Sequence, residues 1–315
     1  MRKVLLLYNP LSGRRRRHRL ADVNAALSVL RASGVEAAAA PTRAAADATD
    51  QTRQAIIEGC DTVFACGGDG TIHEVLQGLV GSDAALAIIP LGTANSLAHD
   101  IRLPFSPVGA AQASLTARTR RIAVGRIEYQ DFAGTRSSRY FTVAAGIGAD
   151  AHLFYKLNPL AKRHLGMAAY YAKATRLWLT HKMENFAVEI LKEGETHQVE
   201  VSQLLAVRIR YFGGVLRELA PGASLERDDL RVVLFRTRNR LAYLRYVMRG
   251  MFATGWKIRG IELVHSVSVS CRPLDASTTS APSPRVFVEA DGELLGTLPA
   301  EIRIVPNALT ILVPS

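Results

Sequence analysis

The chain has 315 residues, 48% of them hydrophobic, enough for one large core or two moderate ones. No stretch approaches the roughly 18 uncharged apolar residues of a membrane span, and three cysteines (Cys60, Cys66, Cys271) in no CxxC spacing argue against a disulfide framework or a zinc site and fit a reducing cytoplasm. Its 39 Lys and Arg against 28 Asp and Glu give a net charge of +11 and favour an anionic partner, but no DNA- or RNA-binding signature accompanies them, so nucleic acid is not expected.

The run Val4-Leu5-Leu6-Leu7-Tyr8 is shorter than the roughly 7–15 apolar residues of a signal peptide and reads as a first strand over 3–8. Asn9-Pro10-Leu11-Ser12-Gly13 follows it. In a parallel sheet, ligands sit off the carboxyl ends of strands. Asn9, Ser12 and Gly13 therefore read either as phosphate or ribose contacts or as an ordinary turn. A helix over 17–33 is expected from apolar residues at 20, 23, 26, 27 and 30; Gly34 stops it. A strand over 35–40 and a helix over 44–59 come next.

Thr62-Val63-Phe64-Ala65-Cys66 has the composition of a buried strand. It breaks into Gly67, Gly68, Asp69, Gly70, Thr71, Ile72, His73 and Glu74, and apolar residues at 72, 75, 76, 79 and 80 restart the chain as a helix. Free backbone N–H groups at such a junction bind phosphate; a structural turn is the competing reading. Asp69 would repel a bare phosphate, so a cation such as Mg²⁺ is expected between them. His73-Glu74 does not open a metalloprotease motif, because position 77 is Gln77. Ala84–Pro90 is another buried strand. The Pro90-Leu91-Gly92-Thr93-Ala94-Asn95 segment after it places Thr93 and Asn95 beside the glycine loop, as phosphate or adenine contacts or as a helix N-cap.

Beyond about residue 120 the pattern changes to short β-rich runs, at 121–128, 140–145, 187–191, 199–207, 230–235, 263–270, 285–289 and 309–313. They predict an antiparallel sandwich or barrel, interrupted by helices over 159–182 and 239–254 and by a loop over 273–284. Asp291-Gly292 between two such runs is a hairpin signal. The carboxylates of Asp291 and Glu293 are also candidates for accepting a proton from an alcohol. No GxxxxGK[ST], GxGxxG or GxSxG occurs, which argues against P-loop NTPases, protein kinases, dinucleotide oxidoreductases and α/β-hydrolases.

Taken in order, these segments resemble the diacylglycerol kinase catalytic-domain family, which includes bacterial lipid kinases and the sphingosine and ceramide kinases. Asn9–Gly13 is similar to its NPxSG, Gly67–Thr71 to its GGDGT, Pro90–Asn95 to its PxGTxN, Gly146–Ala151 to its GxGxDA, and Asp291–Glu293 to its terminal DGE. The resemblance implies an α/β nucleotide-binding domain of the NAD kinase and phosphofructokinase type over 1–120, with a parallel sheet. An all-β sandwich that takes the lipid would follow over 121–315.

The same resemblance assigns ATP to Asn9, Ser12, Gly13, Thr42, Gly67–Glu74, Thr93 and Asn95. It makes Asp291 the general base with Glu293 in support. The family's structural Mg²⁺ loop corresponds to Pro221–Leu230, where Arg227 stands in place of an acid; this disfavours a dication and leaves Glu226 or Asp228 as substitute ligands there, apart from the nucleotide-bound cation expected at Asp69. The expectation is an ATP- and Mg²⁺-dependent lipid kinase of the cytoplasm, peripheral at the anionic inner face of the membrane. An NAD kinase-like phosphotransferase and a catalytically silent lipid-binding module are the alternatives. The lipid and any homodimer stay open.

Overall fold

Strands β1 (Lys3–Tyr8), β2 (Glu36–Pro41), β3 (Thr62–Gly67) and β4 (Ala85–Pro90) pair in parallel in the order β4-β3-β1-β2. β3 and β4 are buried at every position, as expected of strands covered on both faces. The covering helices are α1 (Arg19–Ala32), α2 (Asp47–Ile57), α3 (Asp69–Leu79), α4 (Ser96–Asp100) and α5 (Pro107–Leu115). This is a computed structural model, and it describes residues 1–10, 18–44, 47–148, 183–192, 194–213, 217–252, 257–274 and 285–314. The expected helix over 159–182, Ser12, Gly13, Asp150 and most of the expected 273–284 loop lie outside the described residues.

The remaining strands are antiparallel: β5 (Arg118–Gln130), β6 (Arg136–Phe141), β7 (Ala144–Gly148), β8 (Phe186–Lys192), β9 (Glu195–Val201), β10 (Gln203–Val207), β11 (Leu230–Phe235), β12 (Ile261–Ser266), β13 (Ser268–Pro273), β14 (Phe287–Ala290) and β15 (Glu293–Val313). They form a C-terminal β-sandwich whose inner residues, among them Ile127, Phe141, Ile147, Phe186, Val232 and Val288, make a second core. Helix α6 (Arg240–Phe252) covers a smaller third cluster on β10 and β11.

Three expected strands are each divided; the 140–145 run breaks at Thr142 and Val143, between β6 and β7. The 199–207 run breaks at Ser202, whose hydroxyl donates to the carbonyls of Phe235 (3.2 Å) and Thr237 (2.6 Å) and meets Tyr243 Oη at 2.8 Å. β9 then pairs with β8, while β10 pairs with β7 and β11. The 263–270 run breaks at Val267 in the same way. There Ser266 Oγ binds the carbonyls of Leu191 and Ser268, each at 2.7 Å. These last two breaks let the chain change pairing partner.

β15 ties the two units together. Its first residues pair with β14, β5 runs against it from Thr297 to Val313, and its end pairs in parallel with β4 through Thr310–Ala85 and Ile311–Leu86. Ala308, Leu309, Ile311 and Leu312 thus enter the core of the α/β unit.

Candidate active site

The registers Tyr8–Pro41, Tyr8–Cys66 and Gly67–Pro90 bring four strand ends to one edge of the parallel sheet. Asn9, Thr42, the Gly67–Thr71 loop and the Leu91–Asn95 loop follow these ends. Thr42 is buried, and its N–H donates to Tyr8 O at 2.9 Å. The two loops lie back to back. Leu91 N–H donates to Gly67 O at 2.8 Å, and a Cβ on Gly92 would stand 2.3 Å from Gly68 Cα. A Cβ on Gly67 would stand 2.2 Å from Thr71 Oγ1. These glycines are required by close backbone approach.

Gly68 is the N-cap of α3 and offers no capping side chain. The first-turn amides of α3 therefore face out of the helix with no intrahelical partner, the arrangement that receives an anion. Thr93 is exposed beside them. Ile72 points into the core, and Glu74 accepts from Thr49 Oγ1 through its carbonyl (2.8 Å). Of the two readings of Asn95, ligand contact and helix N-cap, the structure favours the second by position: it is the N-cap residue of α4. Its side chain accepts from Gly92 N–H (2.9 Å) and donates to Gly92 O (3.1 Å), so it shapes the loop from a left-handed backbone position (φ 52°).

Asp69 also does more than the sequence suggests. Its two carboxylate oxygens accept from Asn95 N–H (2.9 Å) and Ser96 N–H (2.8 Å), clamping α4 to the glycine loop. Burial pushes its carboxyl above the usual range, and these amides offset part of that shift.

From the other unit, the hairpin between β14 and β15 reaches this edge. Asp291 and Gly292 both have positive φ (49° and 82°), the geometry of a type I′ turn. Gly292 N–H donates to Glu289 (3.0 Å) and Asp291 N–H to Ala144 O (2.8 Å). The Asp291 carboxylate, only 3% exposed, accepts from the amides of Thr142 (3.1 Å), Val143 (2.9 Å) and Ala144 (3.1 Å). His73 Nδ1 on α3 lies 3.4 Å from the same carboxylate. Glu293, 42% exposed, stands 3.9 Å from His73 Nε2, and a Cβ on Gly70 would meet its Oε1 at 3.1 Å. The glycine loop and the carboxylate hairpin are therefore in contact.

One clamp carried no usable sequence signal. Gln77 donates to Tyr140 O (2.9 Å) and accepts from Tyr140 N–H (3.0 Å), pairing α3 with the backbone of β6 as a strand would.

Burial alone would push the His73 imidazole down, but Asp291 on Nδ1 and the charge of Glu293 raise it above its ordinary value. A raised basic group stabilises the fold fully below the free imidazole value of about 6.5, and this contribution is lost as pH rises through the raised folded value. The stability advantage of the parent over His73→Ala should therefore be largest on the acid side and shrink above neutrality, leaving a pH-independent cavity cost. Urea midpoints measured across that range would show it; a constant difference would mean that His73 stays uncharged.

The Pro221–Leu230 loop, where Arg227 already disfavours a dication, does not fit one. Arg208, fully buried, donates to the carbonyls of Arg227 (2.8 Å), Asp229 and Ala123 (3.0 Å). Arg227 Nε meets both carboxylate oxygens of Asp229 (2.9 and 3.0 Å), and His265 Nδ1 lies 3.1 Å from it. Glu226 pairs with Arg120 at 2.7 Å, and Asp228 is exposed. The carboxylates of Glu226 and Asp229 and the carbonyls bound by Arg208 thus already face protein cations. Among the described residues no group of three His, Cys, Asp or Glu is placed to hold a metal, which corrects Glu226 and Asp228 as substitute ligands of that loop; Asp69, expected to share a cation with a nucleotide phosphate, needs no such group.

Two matches to known families bear on this geometry. Residues 3–127 match the diacylglycerol kinase catalytic domain, and residues 142–313 match the YegS C-terminal NAD kinase beta sandwich-like domain. The chain belongs to the diacylglycerol kinase family. It is 31% identical over 315 residues to a diacylglycerol kinase of Mycobacterium tuberculosis, covering 99% of this chain and 95% of that one. Against a diacylglycerol kinase of Bacillus subtilis it is 29% identical over 308 residues, covering 96% and 93%. A crystal structure of a diacylglycerol kinase from Bacillus anthracis superposes with a TM-score of 0.73 at 22% identity, covering 99% and 97%. Yeast NADH kinase complexed with NADH superposes with a TM-score of 0.52 at 12% identity, covering 100% and 84%, and shares the fold alone.

Proposed function

We propose that the protein is an ATP-dependent lipid kinase that transfers a phosphoryl group to the hydroxyl of a diacylglycerol-like lipid. The observation that carries this reading is the contact of the Asp291–Glu293 hairpin with the Gly67–Thr71 loop through His73 and Gly70. The glycine loop, the first turn of α3, Asn9, Thr42 and Thr93 would hold ATP, which supplies the γ-phosphoryl group. Close loop packing and open helix amides suit its phosphates. Ser12 and Gly13 belong to the same proposal. Mg²⁺ would arrive on the nucleotide rather than on a protein cage.

Asp291 would take the proton of the lipid hydroxyl. Its amide contacts fix the carboxylate, and Oδ2, with the longer contacts at 3.1 and 3.4 Å, is the oxygen best able to accept a further partner. A second reading has Glu293 as the base, favoured by its exposure against the burial of Asp291. Membership of the family and the carboxylate hairpin weigh against a silent module. The low likeness to NADH kinase gives an NAD kinase-like activity no support beyond the fold. The reading places the enzyme in the cytoplasm at an anionic inner membrane face.

Labelled ATP offered with a panel of lipids in mixed micelles tests this, with NAD as a further acceptor. Phosphorylation of a lipid is expected, and transfer to NAD alone would overturn the proposal. Glu293→Gln should lower turnover less than Asp291→Asn; the reverse order would make Glu293 the base.

A further inference from the structure

We propose that α6 and the cationic cleft at its foot form the surface by which the protein docks on an anionic phospholipid bilayer. The inner face of α6, including Tyr243 and Tyr246, packs on β10 and β11. A surface helix ordinarily turns a polar stripe to water. Here the outer stripe is apolar too: Leu241, Leu244, Val247, Met248 and Phe252 are 39–62% exposed.

Charge identifies what covers that stripe. Residues 236–260 hold seven Lys and Arg and no Asp or Glu. Arg236, Arg245, Lys257 and Arg259 line a cleft of about 530 Å³ beside Ala242 on α6. Arg236 pairs with Glu262 at 3.6 Å; among the described residues Arg245, Lys257 and Arg259 face no carboxylate at ion-pair distance. An apolar stripe bordered by unopposed cations is complementary to acyl chains bordered by headgroup phosphates. This surface deepens the proposed function and rests on that reading for why a bilayer is the partner; its test is separate.

The full chain is sedimented with vesicles of phosphatidylglycerol and phosphatidylcholine in equal parts, and with phosphatidylcholine alone. The parent should bind the mixed vesicles and leave the neutral ones. Replacing Arg245, Lys257 and Arg259 together by Gln should weaken binding about a hundredfold, from the roughly 1 kcal/mol that each basic residue contributes at an anionic surface. Leu244→Ser with Val247→Ser and Phe252→Ser should abolish the binding that survives high salt. Both variants should melt with the parent and keep its turnover on a water-soluble short-chain diacylglycerol.

Unchanged vesicle binding in both variants, or equal binding to neutral vesicles, would overturn the proposal. So would a lower melting temperature of the apolar variant, which would mean that the chain itself covers the stripe. A dimer lost in that variant, with vesicle binding kept, would assign the stripe to a second copy and also overturn it. A parent inactive on every lipid would count against the kinase reading and leave the vesicle result standing.

Discussion

Asp291→Asn is expected to lower phosphotransfer by about 10²- to 10⁴-fold, the usual worth of a positioned general base, with MgATP affinity close to the parent's. A lipid hydroxyl is a weak nucleophile, and phosphoryl transfer otherwise relies on positioning and charge stabilisation, which this substitution leaves in place. The sequence alone suggests that Asn would keep the turn and leave melting unchanged. The structure changes that second expectation. An Asn oxygen can still accept from Val143 and Ala144, but its amide would then face the Thr142 N–H and His73.

A donor set against a donor in a buried site costs about 1–3 kcal/mol, a fall of a few degrees in a chain of this size. The variant must therefore be assayed below its own melting transition, with nucleotide binding measured beside turnover. Lost turnover with retained MgATP binding supports the base. Near-parental turnover with lowered melting would leave Asp291 as a buried structural anion and pass the chemistry to Glu293.

What could be read in advance follows from where the information lies. β3 and β4 were legible because strands covered on both faces are apolar throughout. The glycine loop was legible because its backbone approach to Gly92 and Thr71 excludes side chains, and that demand is written as Gly67, Gly68 and Gly92. The strand breaks at Ser202 and Val267 were not, because they depend on carbonyls of Phe235, Thr237 and Leu191, distant in sequence. The start of α4 was legible as one reading of Asn95, but what caps its first amide, Asp69 27 residues earlier, was hidden for the same reason.

α5 had a readable start, with Ser106 Oγ accepting from Gly109 N–H (3.0 Å) and Pro107 in the first turn. Its buried side is Ala110, Ala111 and Ser114, too small to mark a periodic stripe. In the site, the order of Asn9–Gly13, Gly67–Glu74, Pro90–Asn95 and Asp291–Glu293 carried the family. The groups that hold Asp291 are the amides of Thr142, Val143 and Ala144, and a backbone amide has no sequence signature.

Arg208→Met is expected to be the most destabilising single change, by about 3–5 kcal/mol, on the order of 10 °C in melting temperature. The methionine keeps an apolar stem of similar length and removes every donor. The carbonyls of Arg227, Asp229 and Ala123 would lose the fully buried guanidinium that satisfies them. Burial pulls this guanidinium down to about 10, so it is still charged at neutral pH and supplies a fixed positive charge to the loop. Lysine would be a poor substitute, because one ammonium cannot reproduce the two-nitrogen fork that joins the loop carbonyls of Arg227 and Asp229 to Ala123 O on β5. If the loop's cation is Arg208, chelation by EDTA should leave the melting temperature of the parent where it was, and added Mg²⁺ should not raise it. The same Mg²⁺ should not rescue Arg208→Met, since Arg227 still occupies Asp229 and Arg120 still occupies Glu226. A melting temperature that falls with EDTA, or a variant restored by Mg²⁺, would show that the loop takes a metal after all and that Arg208 only accompanies it.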